Sequence, residues 1–92
     1  MIVGSLQVRL LMRESRSLKD KRQVLRSIKD RLQNRFNISI AEVEEQDHLQ
    51  LAVLGVAMVS NEADHIRHTF DEIIQALRTH PVAELIGQER DV

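Results

Sequence analysis

Hydropathy along this 92-residue chain alternates with a period of two, changes to a helical period, and then repeats the whole switch. Between the two halves, two strand-like runs are separated only by a polar stretch at 44–48. These observations predict an α+β domain of order β-α-β-β-α-β. Such a split βαβ arrangement makes a four-stranded antiparallel sheet with both helices on one face, the ferredoxin-like fold. Residues 1–92 are expected to form one such domain, long enough for a single core without cross-links.

In residues 2–13, Ile2, Gly4, Leu6, Val8, Leu10 and Met12 share one face, and Val3, Ser5, Gln7, Arg9, Leu11 and Arg13 share the other. That is the pattern of a half-buried strand. After a polar connector at 14–16, Ser17 is a good helix N-cap, with Asp20 three residues on as a variant of the capping box. From there Leu18, Val24, Leu25, Ile28 and Leu32 fall within one arc of about 120°. This stripe needs an apolar surface, which the first strand supplies. The exit is expected at 34–37, through an asparagine in the left-handed conformation.

Residues 38–43 read as a second strand and 44–48 as a hairpin connection. Residues 49–60 read as a third strand, apolar on both faces from 51 to 59 and therefore central. Asn61 is the expected cap of a second helix whose inner stripe is Ala63, Ile66, Phe70, Ile73, Ile74 and Leu77. Pro81 stops that helix, because the residue before a proline is pushed out of helical geometry. Residues 82–90 complete the sheet. The first and third strands, longest and most apolar, are expected at its centre.

Composition removes several functions. The chain has no cysteine, so disulfides, thiolate catalysis and sulfur-ligated metals are excluded. No apolar run approaches the roughly 20 residues of a membrane helix, and no basic segment precedes the apolar N-terminus. A cytoplasmic protein with no membrane partner is expected. There is no glycine-rich phosphate loop, nucleophile elbow or zinc-ligand pattern. His65, His68 and Glu72 lie within about 60° of one another on the second helix, opposite its apolar stripe, where nothing encloses an ion. His48 and His80 fall in connections and are expected at the surface. The chain is not expected to be an enzyme or to carry a cofactor or metal.

Charge is the informative feature. The formal net charge of −1 conceals a first segment, 1–35, with ten Lys/Arg against three Asp/Glu, and a remainder with three against eleven. Such a split points to a polyanionic partner, or to pairing of one half with the other. On the first helix Lys19, Arg22, Arg26 and Lys29 lie within about 80° of arc, and only Arg26 has an acid, Asp30, at helical pairing distance. Lys19, Lys21 and Arg22 also crowd the helix N-terminus, where the macrodipole opposes positive charge by roughly 0.3–1 kcal/mol each. A phosphate seated among free N–H groups, the hydroxyls of Ser15 and Ser17, and these side chains would offset that. Ser17, Lys19, Lys21, Arg22, Arg26 and Lys29 are accordingly the expected phosphate- or RNA-binding residues.

Three stretches, SLKDKR at 17–22, RFNISIAEVEEQD at 35–47 and LGVAMVSNEADHI at 54–66, resemble the YlxP-like family of small bacterial proteins. Leu49 departs from that pattern, standing where the family has a tryptophan. The resemblance implies a ferredoxin-like fold in a bacterial cytosol, and genes that neighbour those for translation initiation and ribosome maturation. It brings no catalytic residues with it.

The expected function is therefore non-enzymatic association with RNA or the ribosome, the basic first helix meeting the phosphate backbone. With only Phe36 and Phe70 as aromatics, base stacking has no platform, so binding would be salt-sensitive and poor in sequence specificity. The alternative is a protein-interaction or small-anion-binding regulatory module. A homodimer is expected through the open sheet face, where Val3 and Leu11 join one apolar register of the third strand.

Overall fold

The alternation and the two helical stripes fold as the order predicts. The computed structural model describes all 92 residues. In chain order the elements are β1 (Ile2–Leu11), α1 (Leu18–Arg35), β2 (Ser39–Glu44), β3 (Leu51–Ser60), α2 (Ala63–Arg78) and β4 (Glu84–Asp91). The strands form one antiparallel sheet of order β2-β3-β1-β4. The two most apolar strands are central, and the fold is ferredoxin-like.

Register decides which side chains meet. Leu6 lies opposite Val56, Val8 opposite Leu54 and Leu10 opposite Ala52, so the inward rows of β1 and β3 form a continuous apolar floor. Leu25, Ile28 and Leu32 of α1 and Ile66, Phe70, Ile73, Ile74 and Leu77 of α2 close over that floor in one cluster. α2 sits low on β1 because Gly4 has no side chain: a Cβ there would stand 2.5 Å from Ile66 Cγ2. Two bulges interrupt the edge strands, one in β2 between Glu42 and Glu44 and one in β4 opposite Arg9 and Leu10.

Local details differ from the sequence reading at the helix ends. Ser17 caps α1 as expected, its hydroxyl accepting from Asp20 N at 3.0 Å. The α1 exit, however, uses no left-handed asparagine. Phe36 leaves in extended conformation at φ −126°, donating its N–H to Leu32 O, and the only non-glycine residue with positive φ is Glu45. Extension suits this exit because the chain runs almost directly into the edge strand β2. Asn61 does not cap α2; Glu62 holds that position without a side-chain bond, and Ser60 Oγ accepts the Glu62 N–H instead.

Candidate functional site

The basic residues expected to act together are divided by α1 itself. At about 100° per residue, Lys21 lies in the middle of the apolar arc, not beside it. Its side chain is fully buried and its ammonium donates to Glu45 O at 2.7 Å and Leu51 O at 3.1 Å, with Gln46 O at 3.4 Å. Glu42 Oε2 approaches to 2.8 Å and supplies the compensating charge. Lys21 is therefore a peg joining α1 to the β2–β3 hairpin and is withdrawn from any phosphate. It also holds the carbonyl of Glu45, whose φ of 61° is unfavourable for a residue with a side chain.

At the helix N-terminus the two serine hydroxyls are engaged by the chain itself. Ser17 Oγ is used as the cap, Asp20 Oδ2 accepts from Arg16 N at 3.0 Å, and the buried Ser15 hydroxyl donates to Ser17 O at 3.2 Å. The hydroxyls that the sequence reading offered to a phosphate are spent on the chain's own backbone. Ser15, Ser17 and Lys21 thus serve folding.

What remains is a row of side chains on one side of α1. Lys19, Arg22 and Arg26 are exposed and Lys29 is half-buried, and none of the four forms an ion pair. Arg26 and Asp30 stay apart despite their spacing. Pairing between the two halves of the chain consumes little of the charge: Arg13–Glu84, Lys21–Glu42 and Arg35–Glu72 are the only such contacts, leaving seven of the ten basic residues in the first half free. With a rise of about 1.5 Å per residue, Lys19 to Lys29 spans roughly 15 Å of helix.

Arg22, Arg26 and Lys29 surround a depression of about 280 Å³ between α1 and β2, with Leu25 and Glu42 completing its wall. Glu42 reaches it because its register partner is Leu54, an inward-facing residue, which puts the carboxylate on the helix side of the edge strand. Neutralisation of the basic helix by acids that include Glu42 was among the expectations, but Lys21 was not singled out as its partner. The signal was present: Ile38, Ile40 and Glu42 alternate onto one face, so an acid stands in an inward row while Lys21 stands in an inward helical stripe.

Two histidines turn out to be structural. His48 Nδ1 accepts from Gln50 N at 3.1 Å and Leu51 N at 2.9 Å, and His80 Nδ1 accepts from Val82 N at 3.1 Å and Ala83 N at 3.0 Å. Each imidazole organises the turn into the following strand, which requires a neutral ring with its proton on Nε2. Burial lowers the pKa of His80 from its ordinary 6.5, and the nearby Arg31 guanidinium lowers it further. His65, His68 and Glu72 are exposed on α2, and Glu72 is engaged with Arg35 at 3.4 Å.

On the opposite side of the sheet, Val3 lies beside its partner Val59, and Val43 covers Gly55. Val53 faces this side too, yet it is fully buried between its register partners Arg9 and Glu44. Next to Val43 lies a shallow hollow of about 590 Å³ floored by small residues, among them Ser5, Ala41, Gly55 and Ala57. No helix is long and apolar enough to cross a membrane.

Comparison with known proteins agrees with this architecture. Residues 3–90 match the model of a family described as protein of unknown function (DUF503). Over 83 residues the chain is 31% identical to the uncharacterized protein YlxP of Bacillus subtilis (strain 168), covering 90% of each chain. Among solved structures, the de novo designed protein Ferredog-Diesel is similar with a TM-score of 0.54 and 16% identity, over 99% of this chain and 85% of that one. That likeness concerns the fold alone.

Proposed function

The chain belongs to the DUF503 family of proteins of unknown function and is similar to YlxP, and from its geometry we propose that it is a non-enzymatic RNA- or ribosome-associated protein. The observation that carries this reading is the row Lys19, Arg22, Arg26 and Lys29, running along α1 without one ion pair in a chain holding 14 acids. Four cations along roughly 15 Å match a polyanion better than a single ion, because successive phosphates can engage successive turns. The surface has no aromatic platform, so the contacts are to backbone and the recognition is of shape. A folded RNA such as rRNA, met in the cytoplasm, is the partner this chemistry suits.

Co-sedimentation with ribosomes and gel-shift with a structured RNA, across a salt series, test it. Binding that weakens steeply with salt is expected, and Lys19→Glu with Arg22→Glu should abolish it while leaving the melting curve near wild type. Absence of binding to either at low salt overturns the reading and leaves an acidic protein surface or small anion as the partner to pursue.

The partner set also includes a second copy of the chain on the open sheet face. Four strands about 4.8 Å apart and six to ten residues long present about 550 Å², about two-thirds of the roughly 800 Å² per partner of a stable interface. Val3, Val43 and Val59 supply its apolar contacts, each more than two-fifths exposed. Arg9 is unpaired on that face, as are Glu89 and Asp91 in register with Gln7 and Ser5, so a two-fold mate can pair what one chain leaves open.

A further inference from the structure

We infer that Glu42 reads the ribose 2′-hydroxyl, making it the residue by which the basic face selects RNA over DNA; this rests on the RNA-binding reading above. The two oxygens of this carboxylate have different surroundings. Oε2 is buried and lies 2.8 Å from the ammonium of Lys21. That ammonium directs its hydrogen bonds at the carbonyls of Glu45 and Leu51, so Oε2 receives charge but no well-aligned bond. Oε1 has no hydrogen-bond partner and is not buried as Oε2 is, and Glu42 lines the depression walled by Arg22, Arg26 and Lys29.

A carboxylate among three unpaired cations is an odd feature of a surface built only for phosphates. It forms no ion pair with any of them, although all four line the same space. The gap between Glu42 and the cations is polar, bounded by positive charge on one side and an acceptor on the other. A ligand filling it needs negative oxygens facing the helix and a hydroxyl or amine donor facing β2. A backbone phosphodiester supplies only the first and is repelled by Glu42. The shallow minor groove of A-form RNA supplies both, since its 2′-hydroxyls lie between phosphate rows. An acidic residue accepting from a ribose hydroxyl is an established form of recognition, as in dinucleotide-binding folds. Lys21 makes the arrangement rigid: it fixes the carboxylate from behind and keeps it from swinging over to pair with Arg22 or Arg26.

The test compares an RNA hairpin with the same hairpin carrying 2′-fluoro riboses, which keep the A-form shape but cannot donate. At one low salt concentration the wild-type protein should bind the hydroxyl form about tenfold more tightly, the size of one hydrogen bond to a charged acceptor. Glu42→Met should erase that preference, chiefly by weakening the hydroxyl form. Because this change strands the ammonium of Lys21, Lys21→Met/Glu42→Met provides the same readout with both buried charges removed, and each melting curve establishes folding. Equal affinity of the wild type for the two hairpins, or a preference that survives in a folded variant, overturns the assignment and leaves backbone binding standing. If the wild type binds neither hairpin, both readings fall together.

Discussion

Two residues illustrate how a titratable side chain can be used to hold this fold. Lys21 is buried with its charge intact because three carbonyls and Glu42 surround the ammonium. Removing one member of a buried pair usually costs about 3–5 kcal/mol, and Glu42 keeps some solvent contact, so Lys21→Met should fall at the lower end. A domain of this size loses roughly 4–8 °C in Tm per kcal/mol, so thermal denaturation should register a drop of at least about 12 °C. Adding Glu42→Met should recover part of that loss, as both charges are then gone; a wild-type Tm for Lys21→Met alone would refute the peg. His80 makes a pH prediction. Its folded pKa lies below 6.5, so the unfolded chain takes up the proton first as the pH falls. Its contribution is complete above about 6.5 and is lost as the pH falls through the lower folded value. His80→Asn keeps an acceptor for Val82 N and Ala83 N but cannot titrate. Urea unfolding at several pH values should therefore show a smaller decline below 6.5 for this variant, with little change at pH 8.

At the scale of elements, α1 combines three jobs on two arcs. Leu25, Ile28 and Leu32 build the core, Lys21 between them anchors the hairpin, and Arg22, Arg26 and Lys29 face outward over β2. The helix start is fixed by Ser17 and Asp20, so Ser17→Ala should cost about 1 kcal/mol in denaturant unfolding. It should leave RNA affinity unchanged, because the hydroxyl is engaged with Asp20 N and not offered to a ligand. A large affinity loss in a folded Ser17→Ala protein would return the helix N-terminus to the binding surface. The hairpin after β2 is tied to this helix by Lys21, which bonds its carbonyls, and to the segment between β1 and α1 by Gln50, whose Nε2 donates to Arg13 O at 3.0 Å and whose carbonyl accepts from Met12 N at 2.7 Å. The loop that carries Glu45 and Asp47 is thereby held beside the start of α1 while forming no ion pair with Lys19 or Arg22.

At the scale of the molecule, the helices cover one side of the sheet and the other side is left to Val3, Val43 and Val59. Sedimentation equilibrium at micromolar protein should give twice the 10.6 kDa chain mass, and Val3→Asp with Val59→Glu should return the monomer without loss of fold. A monomeric wild type would remove the second copy from the proposed partners. A dimer formed this way keeps both α1 faces outward, free for RNA. The element order, the central position of β1 and β3 and most of the core were legible in the sequence, because strand and helix periods are local and each buried stripe needs another to cover it. The excess of positive charge in residues 1–35 was legible for the same reason, being a count along the chain. The sequence by itself could not tell which of those charges meet solvent. That depends on what lies opposite, and only the packed structure sets α1 against the hairpin carbonyls and Glu42. Tertiary packing took Lys21 out of the basic site, since a buried ammonium needs fixed acceptors, while the hydroxyls of Ser15 and Ser17 are spent on backbone groups close by in the chain. It left Lys19, Arg22, Arg26 and Lys29, and brought Glu42 to the last three from a strand that begins four residues after α1 ends.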